Sequence, residues 1–281
     1  MKILEQTNKL IDAIKLYFPS LIGGLQNKHT WQDVQTFCNF IGYPRSGHSL
    51  IGALLNAHPE MMIAHEAAIL KYAYLGFNKD QLYYLIMKKA ELAAEKERKL
   101  GGYVYNVPNQ WQGKVQKLKV IGDKMGEGTT LRIASSREYI IKLTQAVGMD
   151  IKYIHITRNP YDNISTIAQK TPKLNYDLRK SIEHYFYLCE VNSAFKQTLN
   201  PEQIIEMKHE DFLNNPQVYL KNICTFLGVE ATETYLEDCA SIVYQKQNKS
   251  RYKANFTPEM LELIQSKIAN FDFLQGYTYD S

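Results

Sequence analysis

Short apolar runs alternate with longer stretches of helical periodicity along this chain. The apolar runs predict buried strands at residues 36–41, 61–63, 118–121, 151–156 and 203–207. The helical patterns predict helices at residues 2–17, 50–56, 67–75, 80–99, 136–147, 177–197 and 216–227, one that Pro160 opens, and one after Thr257. Pro19 is expected to end the first helix, and Gly101-Gly102 the helix at 80–99. This alternation predicts an α/β fold of three layers, α/β/α, around a central parallel sheet.

The composition favours one domain over residues 1–281. Hydrophobic residues make up 45% of the chain, which is enough for one sizeable core. The formal net charge of +4, from 33 basic and 29 acidic residues, is a mild excess. A nucleic-acid partner would need a dense basic stripe, so we expect an anionic small ligand instead.

The distribution of cysteine and apolar residues predicts a cytoplasmic protein without a membrane partner. The four cysteines form no Cys-x-x-Cys pair and are expected to be free thiols, as in a reducing compartment. No apolar stretch reaches the roughly 18 residues that a transmembrane helix needs. The charged N-terminus does not have the pattern of a signal peptide.

Residues 42–49 combine glycine, arginine and serine in the turn between the first strand and the next helix. The spacing of the two glycines matches a Walker A loop, but His48 replaces its lysine. Consecutive backbone N–H groups, the hydroxyls of Ser46 and Ser49, and the guanidinium of Arg45 can bind one phosphate, assisted by the helix dipole. We therefore favour phosphate binding over a turn without a ligand.

Two further cations follow predicted strands. Lys124 comes after the strand at 118–121, and Arg158 comes directly after the strand at 151–156. The carboxyl ends of parallel strands meet at one edge of a sheet, where ligands bind. Arg45, Lys124 and Arg158 therefore predict a polyanion site, in which Thr166, eight residues after Arg158, adds a hydroxyl for a second phosphate.

The loop and the Arg158 segment together resemble those of sulfotransferases that use 3′-phosphoadenosine 5′-phosphosulfate (PAPS). Residues 43–50 resemble the family's 5′-phosphosulfate loop, and Arg158-Asn-Pro-Tyr-Asp followed by Thr166 resembles its 3′-phosphate motif. The resemblance implies a P-loop-like fold. It also assigns donor binding to Arg45, Ser46, Gly47, His48, Ser49, Leu50, Arg158 and Thr166.

Other segments extend the resemblance towards the protein-tyrosine sulfotransferases and their bacterial relatives. In that branch the catalytic base is a glutamate 21 residues after the loop arginine, and Glu66 stands 21 residues after Arg45. Lys124 resembles the lysine that assists the leaving phosphosulfate. Three more positions match donor-binding segments of the family: His209 near adenine, and Ser250 and Arg251 in the C-terminal phosphate-binding loop.

The sequence also departs from the family pattern. Position 48 is usually threonine, and here it is His48; the adenine-stacking tryptophan of the cytosolic branch is Leu50, and the adenine-contacting tyrosine is His209. The histidine base that the cytosolic branch carries after the lysine is absent after Lys124. We therefore expect Glu66 to be the base, with His48 as the rival candidate.

The resemblance implies transfer of a sulfuryl group from PAPS to a hydroxyl or to an amine or carbamoyl nitrogen of a small-molecule acceptor, such as a polar natural product. It implies a catalytic set of Glu66, Lys124, Arg45 and His48, release of adenosine 3′,5′-bisphosphate, and no metal ion. A helical insert near residues 67–117, rich in tyrosine and lysine, is expected to shape the acceptor pocket.

Two other functions stay open at this point. A P-loop kinase or nucleotide hydrolase could use residues 118–123 as a Walker B strand. A non-catalytic nucleotide-binding paralogue would account for the changes at positions 48, 50 and 209. The acceptor, the choice between oxygen and nitrogen, and the oligomeric state are not determined by the sequence.

Overall fold

One parallel sheet organises the computed structural model, which describes residues 2–95, 103–171, 176–244 and 248–281. Its strands are β1 (Thr36–Gly42), β2 (Met61–His65), β3 (Val120–Lys124), β4 (Ile151–Thr157) and β5 (Ile204–Lys208). They lie in the order β2-β3-β1-β4-β5, and every pairing is parallel. The prediction of a central parallel sheet is confirmed.

The central strand is β1, in which every residue is buried. Phe37 lies opposite Ile121 of β3 on one side and Ile151 of β4 on the other. The strand order changes direction at β1, and the carboxyl edge at such a switch point is where α/β sheets bind ligands. The predicted cation-bearing turns therefore follow three neighbouring strands, β3, β1 and β4.

Helices cover both faces of the sheet. They are α1 (Lys2–Gln26), α2 (His48–Asn56), α3 (Ile69–Tyr74), α4 (Lys79–Ala93), α5 (Gly126–Ser135), α6 (Glu138–Val147), α7 (Pro160–Lys170), α8 (Leu178–Lys196), α9 (His209–Asn214), α10 (Pro216–Leu227), α11 (Glu233–Ser241) and α12 (Pro258–Ile268). Alternate residues of β1 enter different cores, Phe37 and Ile41 on one face and Cys38 and Phe40 on the other. This alternation produces the three layers.

The first helix does not end near Pro19 as predicted, because α1 continues to Gln26. Ser20, one residue further on, is fully buried, and its Oγ donates a hydrogen bond to the Tyr17 carbonyl. The Gln81 amide of α4 donates to the same carbonyl at 3.1 Å. Packing of α1 against α4 therefore supports the helix around the proline and lets it continue beyond the position where the sequence alone predicts its end.

Other predicted boundaries also shift. The predicted strand at 118–121 is displaced, since β3 runs from Val120 to Lys124. Helix α4 ends at Ala93 rather than at 99, and the predicted stop at Gly101-Gly102 lies outside the described residues. Helices α5, α9 and α11 were not predicted. Among the described helices, none combines the length and apolar character that crossing a membrane requires.

Candidate active site

The turn between β1 and α2 holds the glycine-containing loop at the carboxyl edge of the sheet. Arg45 and Gly47 both have left-handed backbone, with φ of 67° and 91°. Gly47 is the N-cap of α2, and a Cβ at this position would lie 2.4 Å from Nδ1 of His209. Only glycine fits, because the turn needs positive φ and the His209 ring packs directly on it.

The polar side chains of the loop have different surroundings. Ser46 is fully buried, and its hydroxyl accepts a hydrogen bond from the Asn163 amide of α7 at 3.0 Å. Ser49 is half-buried and lies on the side of α2 that faces Lys124. Arg45 is exposed. Arg45 and Ser49 are therefore the loop side chains that a ligand can reach, whereas Ser46 ties the loop to α7.

His48 and Leu50 point into the protein. Nε2 of His48 donates to the Ile41 carbonyl at 3.1 Å, and the ring meets Phe40 edge-to-face. Burial, with a smaller contribution from the charge of Lys124, lowers the pKa of His48 to about 3. Leu50 packs in the apolar core, and its N–H donates to the Gly47 carbonyl. This geometry does not support the expectations that His48 acts as a base and that Leu50 contacts the donor.

A second group of polar side chains comes together beside the loop. Nζ of Lys124, at the end of β3, lies 3.0 Å from Oε1 of Glu66 and 3.4 Å from Oγ of Ser49. Nε2 of His65 lies 3.4 Å from the same Ser49 oxygen. Side-chain exposure is 4% for Lys124 and 57% for Glu66, so the carboxylate faces solvent above a buried ammonium group. The structure thus brings together three of the predicted residues, Ser49, Glu66 and Lys124.

The ionisation of this pair follows from its surroundings. Burial lowers the pKa of Lys124 below its ordinary value of 10.5, and the nearby Glu66 carboxylate opposes this effect. Partial burial raises the pKa of Glu66, but attraction to Lys124 and the hydrogen bond from it outweigh burial, so the pKa lies below 4.5. Glu66 is therefore an ionised carboxylate held against a cation.

Arg158 lies on the opposite side of β1, at the end of β4. Its Nη1 donates to the Arg45 carbonyl at 3.1 Å, and its Nη2 donates to the Asn248 carbonyl at 2.5 Å. Asn159, the N-cap of α7, accepts a hydrogen bond from the N–H of Tyr161. Arg158 thus joins the loop to the chain segment that begins at residue 248.

Thr166 and Ser250 meet behind Arg158. Their hydroxyl oxygens lie 2.9 Å apart, and both lie within 2.9 Å of the Asp162 carbonyl oxygen. The two residues are 8% and 4% exposed. The Arg158 segment and the C-terminal segment are therefore in contact, with both hydroxyls engaged in bonds within the protein.

Arg251 is not available to a phosphate as its position in the sequence predicts. It is 1% exposed, and its Nη1 donates to Oδ2 of Asp162 at 2.9 Å, while Nη2 donates to the Ser281 carbonyl. The Arg251 N–H donates to Oδ1 of Asp162. This guanidinium is half of a buried ion pair that fastens the segment after residue 248 to α7, because both oxygens of the carboxylate are engaged.

His209 is the first residue of α9 and packs on Gly47. Burial, together with repulsion from Arg158, lowers its pKa to about 3, so the ring is neutral. Nδ1 of His209 is buried and has no hydrogen-bond partner among the described residues. A buried polar atom without a partner is unusual, and this one lies directly against the glycine of the loop.

The candidate Walker B carboxylate, Asp123, does not have the surroundings of a magnesium ligand. It is fully buried, and its two oxygens accept hydrogen bonds from the N–H groups of Ala67 and Ile69 at 2.9 and 3.1 Å. The described residues contain no group of three or more histidine, cysteine or acidic side chains that could hold a metal ion.

Two features at this edge were not predicted. Glu127, which follows Lys124 at the start of α5, lies 2.7 Å from Nε2 of half-buried His184 on α8. A small cleft beside Lys124 is lined by residues that include Ala53, Ile63, His65, Ala94, Tyr105 and Gln112. The sequence could have indicated Glu127, because it comes just after a strand end. It could not have indicated the residues that line the cleft, because these come from segments far apart in the chain.

Comparison with known proteins agrees with this geometry. A family model described as "Sulfotransferase family" matches residues 140–233, about a third of the chain, and this span includes the Arg158–Thr166 segment. No curated protein matches the sequence.

Solved structures show the same fold at low sequence identity. A sulfotransferase domain from the curacin biosynthetic pathway has a TM-score of 0.55 at 14% identity, over 85% of this chain and 98% of that one. A sulfotransferase from Mycobacterium avium has a TM-score of 0.51 at 12% identity, over 94% and 85%. The sulfotransferase domain of the Synechococcus PCC 7002 olefin synthase has a TM-score of 0.50 at 17% identity, over 83% and 94%. The resemblance predicted from the two motifs is therefore confirmed: the chain has the sulfotransferase fold, and residues 140–233 match the sulfotransferase family.

Proposed function

We propose that this protein transfers a sulfuryl group from PAPS to a small-molecule acceptor. The observation that carries the proposal is the position of Lys124, whose Nζ lies between Oε1 of Glu66 and Oγ of Ser49, directly beside the loop. One cation thereby touches both a candidate base and a residue of the anion-binding turn. Sulfuryl transfer needs this arrangement, because charge develops both on the acceptor atom that attacks sulfur and on the phosphate oxygen that leaves it.

The donor lies along the β1–β4 side of the sheet in this proposal. The N–H groups of the loop, with Arg45 and Ser49, hold the 5′-phosphosulfate at the N-terminus of α2. Arg158 holds the 3′-phosphate, since it is the accessible guanidinium at the end of β4. His209 contacts the adenine, for which its unpartnered Nδ1 on Gly47 is the support.

The reaction is a single in-line displacement. A bond forms between the acceptor oxygen or nitrogen and sulfur, while the bond between sulfur and the oxygen bridging it to phosphorus breaks. The acceptor proton passes to Glu66, and the electron pair of the broken bond leaves on adenosine 3′,5′-bisphosphate. Lys124 and Arg45 stabilise the negative charge on the leaving phosphate, so this proposal requires no metal ion.

The Lys124–Glu66 contact also suggests how the base is activated. In the free protein Lys124 holds the pKa of Glu66 below 4.5, which makes the carboxylate a weak base. A bound phosphosulfate competes for the ammonium group of Lys124. As Lys124 turns to the donor, the pKa of Glu66 rises towards a value better suited to accept a proton.

The acceptor enters from the β2–β3 side. The cleft beside Lys124 is lined in part by Ala94, Tyr105 and Gln112, which belong to the segment between β2 and β3. We propose that residues 67–117 are an insert of a single sulfotransferase domain and shape the acceptor pocket. The mixture of apolar and amide groups suits a small polar molecule with a hydroxyl or carbamoyl group, such as a natural product.

The substitution Glu66→Gln tests the proposal. We expect turnover with sulfur-labelled PAPS and a panel of hydroxyl and carbamoyl acceptors to fall by about 10²–10⁴. Binding of adenosine 3′,5′-bisphosphate, measured by calorimetry without metal, should not change. In the wild type, kcat/KM should fall as pH drops below 4.5, where Glu66 becomes protonated, and this dependence should be absent from E66Q.

The matched control is Glu60→Gln, because Glu60 also pairs with a lysine, Lys119 at 2.6 Å, at the start of β2. E60Q should keep full turnover. Unchanged turnover in E66Q would remove Glu66 from the mechanism, and loss in H184Q alone would assign the base to the His184–Glu127 pair. Binding of ATP that depends on magnesium would favour a kinase, and donor binding without transfer to any acceptor would favour a non-catalytic protein.

A further inference from the structure

The backbone that carries Glu66 has an unfavourable conformation. Glu66 and Ala68 have φ of 58° and 59°, in the left-handed region that residues with a side chain rarely adopt. Neither is glycine, so the sequence does nothing locally to relieve the strain. Such conformations persist only where surrounding contacts hold them, and they are common at functional sites.

The contact that holds this turn is the buried carboxylate of Asp123. Its Oδ1 accepts from the N–H of Ala67 at 2.9 Å, and its Oδ2 accepts from the N–H of Ile69 at 3.1 Å. Ala68 is the N-cap of α3 and has no side chain able to cap the helix. Asp123 therefore replaces the missing cap from a neighbouring strand, and it bridges both sides of the strained residue.

The next residue of β3 holds Glu66 itself. The Lys124 carbonyl accepts from the Glu66 N–H at 3.1 Å, while the Lys124 ammonium group holds the Glu66 carboxylate. Asp123 and Lys124 point to opposite faces of the sheet, as successive strand residues must. Glu66 is thus held by Lys124 through both its backbone and its side chain, while Asp123 holds the N–H groups of Ala67 and Ile69, the residues that follow.

We infer that Asp123 is a positioning residue for Glu66, whose carboxylate it keeps in register with Lys124 and the loop. The inference rests on the proposed function, since it needs Glu66 to be the base. A fully buried carboxylate is costly: burial raises the pKa of Asp123, and the two backbone N–H bonds only partly oppose this effect. The arrangement is understandable if the charge orients a catalytic group rather than stabilising the core.

The substitution Asp123→Asn tests the inference. The amide keeps the side-chain volume, but its NH₂ group faces one of the two backbone N–H groups that the carboxylate accepts from. We expect kcat to fall about 100-fold, as expected for a base that is displaced by about 1 Å. Affinity for adenosine 3′,5′-bisphosphate should be unchanged. The deciding measurement is the double variant D123N/E66Q, which should turn over no more slowly than E66Q alone.

The control is Asp177→Asn, since Asp177 also caps a helix, α8, with its carboxylate, but far along the chain from Glu66. D177N should keep the wild-type kcat. If the effects of D123N and E66Q multiply, Asp123 acts on the fold and not through Glu66, and the inference fails. If E66Q has no effect on its own, the proposed function fails instead, so the two failures are distinguishable.

A second variant covers the case in which D123N does not fold. Ala68→Gly permits φ near 59° without strain and reduces the need for the clamp. The effect of D123N is then measured in the A68G background, by comparing D123N/A68G with A68G in thermal unfolding and in turnover. The inference also requires A68G to restore part of the turnover lost in a folded D123N, and no restoration would contradict it.

Discussion

Gly47 lies where the loop meets the start of α2 and the His209 ring of α9. Its φ of 91° is unfavourable for any residue with a side chain. The His209 ring occupies the place where a Cβ would lie, with Nδ1 only 2.4 Å away. The loop and the proposed adenine contact are therefore coupled, because His209 can lie against the turn only while position 47 has no side chain.

Replacing Gly47 with alanine should weaken donor binding and the fold together. The left-handed backbone costs about 1 kcal/mol in the free energy of unfolding, and displacing His209 adds to that cost. We expect the affinity for adenosine 3′,5′-bisphosphate to fall at least about tenfold, measured by calorimetry beside thermal unfolding. Gly148→Ala is the control, since Gly148 has φ of 71° but no atom within 4 Å of its Cβ position. Equal donor affinity in G47A and wild type would contradict the coupling.

Individual residues also show what a sequence motif leaves undetermined. The spacing from Arg45 led to Glu66 and the strand end led to Lys124, each on its own, and the structure places the two side chains 3.0 Å apart. The same motif could not tell that His48 turns inward to the Ile41 carbonyl while Ser49, one residue later, faces Lys124. That difference depends on the helical rotation that begins at the N-cap of α2, which a linear motif does not contain.

At the scale of elements, α7 and the short 3₁₀ helix Ser250–Lys253 form one unit. Asp162 of α7 receives both the N–H and the guanidinium of Arg251, and its side chain is 3% exposed. Thr166 and Ser250 meet over the same turn of α7. This unit supports the end of β4, so Arg251 contributes to the site through the fold.

The substitution Arg251→Met should therefore lower stability rather than remove a phosphate contact. Breaking a buried ion pair on one side leaves the Asp162 charge unpaired, which costs about 3–5 kcal/mol. The measurement is urea unfolding. Arg158→Met is the matched control: it should cost about 1 kcal/mol in stability and lower the affinity for adenosine 3′,5′-bisphosphate by about 10- to 100-fold. The reverse outcome, weak donor binding in a stable R251M, would return Arg251 to the donor site.

The elements differ in how well local sequence predicts them. Helix α10 matches its predicted range, because Pro216 opens it and Gly228 ends it. Helix α5 was missed, because Gly126, Gly128 and two threonines give it a low helix propensity. Its support is tertiary: the hydroxyl of Thr130 donates to the Asn192 side chain of α8, a contact that no local pattern reveals.

At the scale of the whole molecule, the strand order divides the site into two sides. Arg158, Thr166 and Ser250 lie beyond β4, while Lys124, Glu66 and the cleft lie beside β3 and β2. The loop after β1, the central strand, stands between them. In the proposed function this order separates donor from acceptor, with the transferred group at the centre.

This separation predicts that substitutions on the two sides affect different substrates. Ala53 of α2 lines the cleft, and leucine is well tolerated in a helix, so Ala53→Leu should fill the cleft without disturbing the fold. We expect kcat/KM for the acceptor to fall at least about tenfold in A53L, because a pocket of this size cannot admit the added carbons and the acceptor together. Binding of adenosine 3′,5′-bisphosphate should match the wild type.

R158M should show the opposite pattern, with weak donor binding and an unchanged KM for the acceptor at saturating PAPS. Loss of donor affinity in A53L would mean that the donor extends over β3, and the proposed division of the sheet would be wrong.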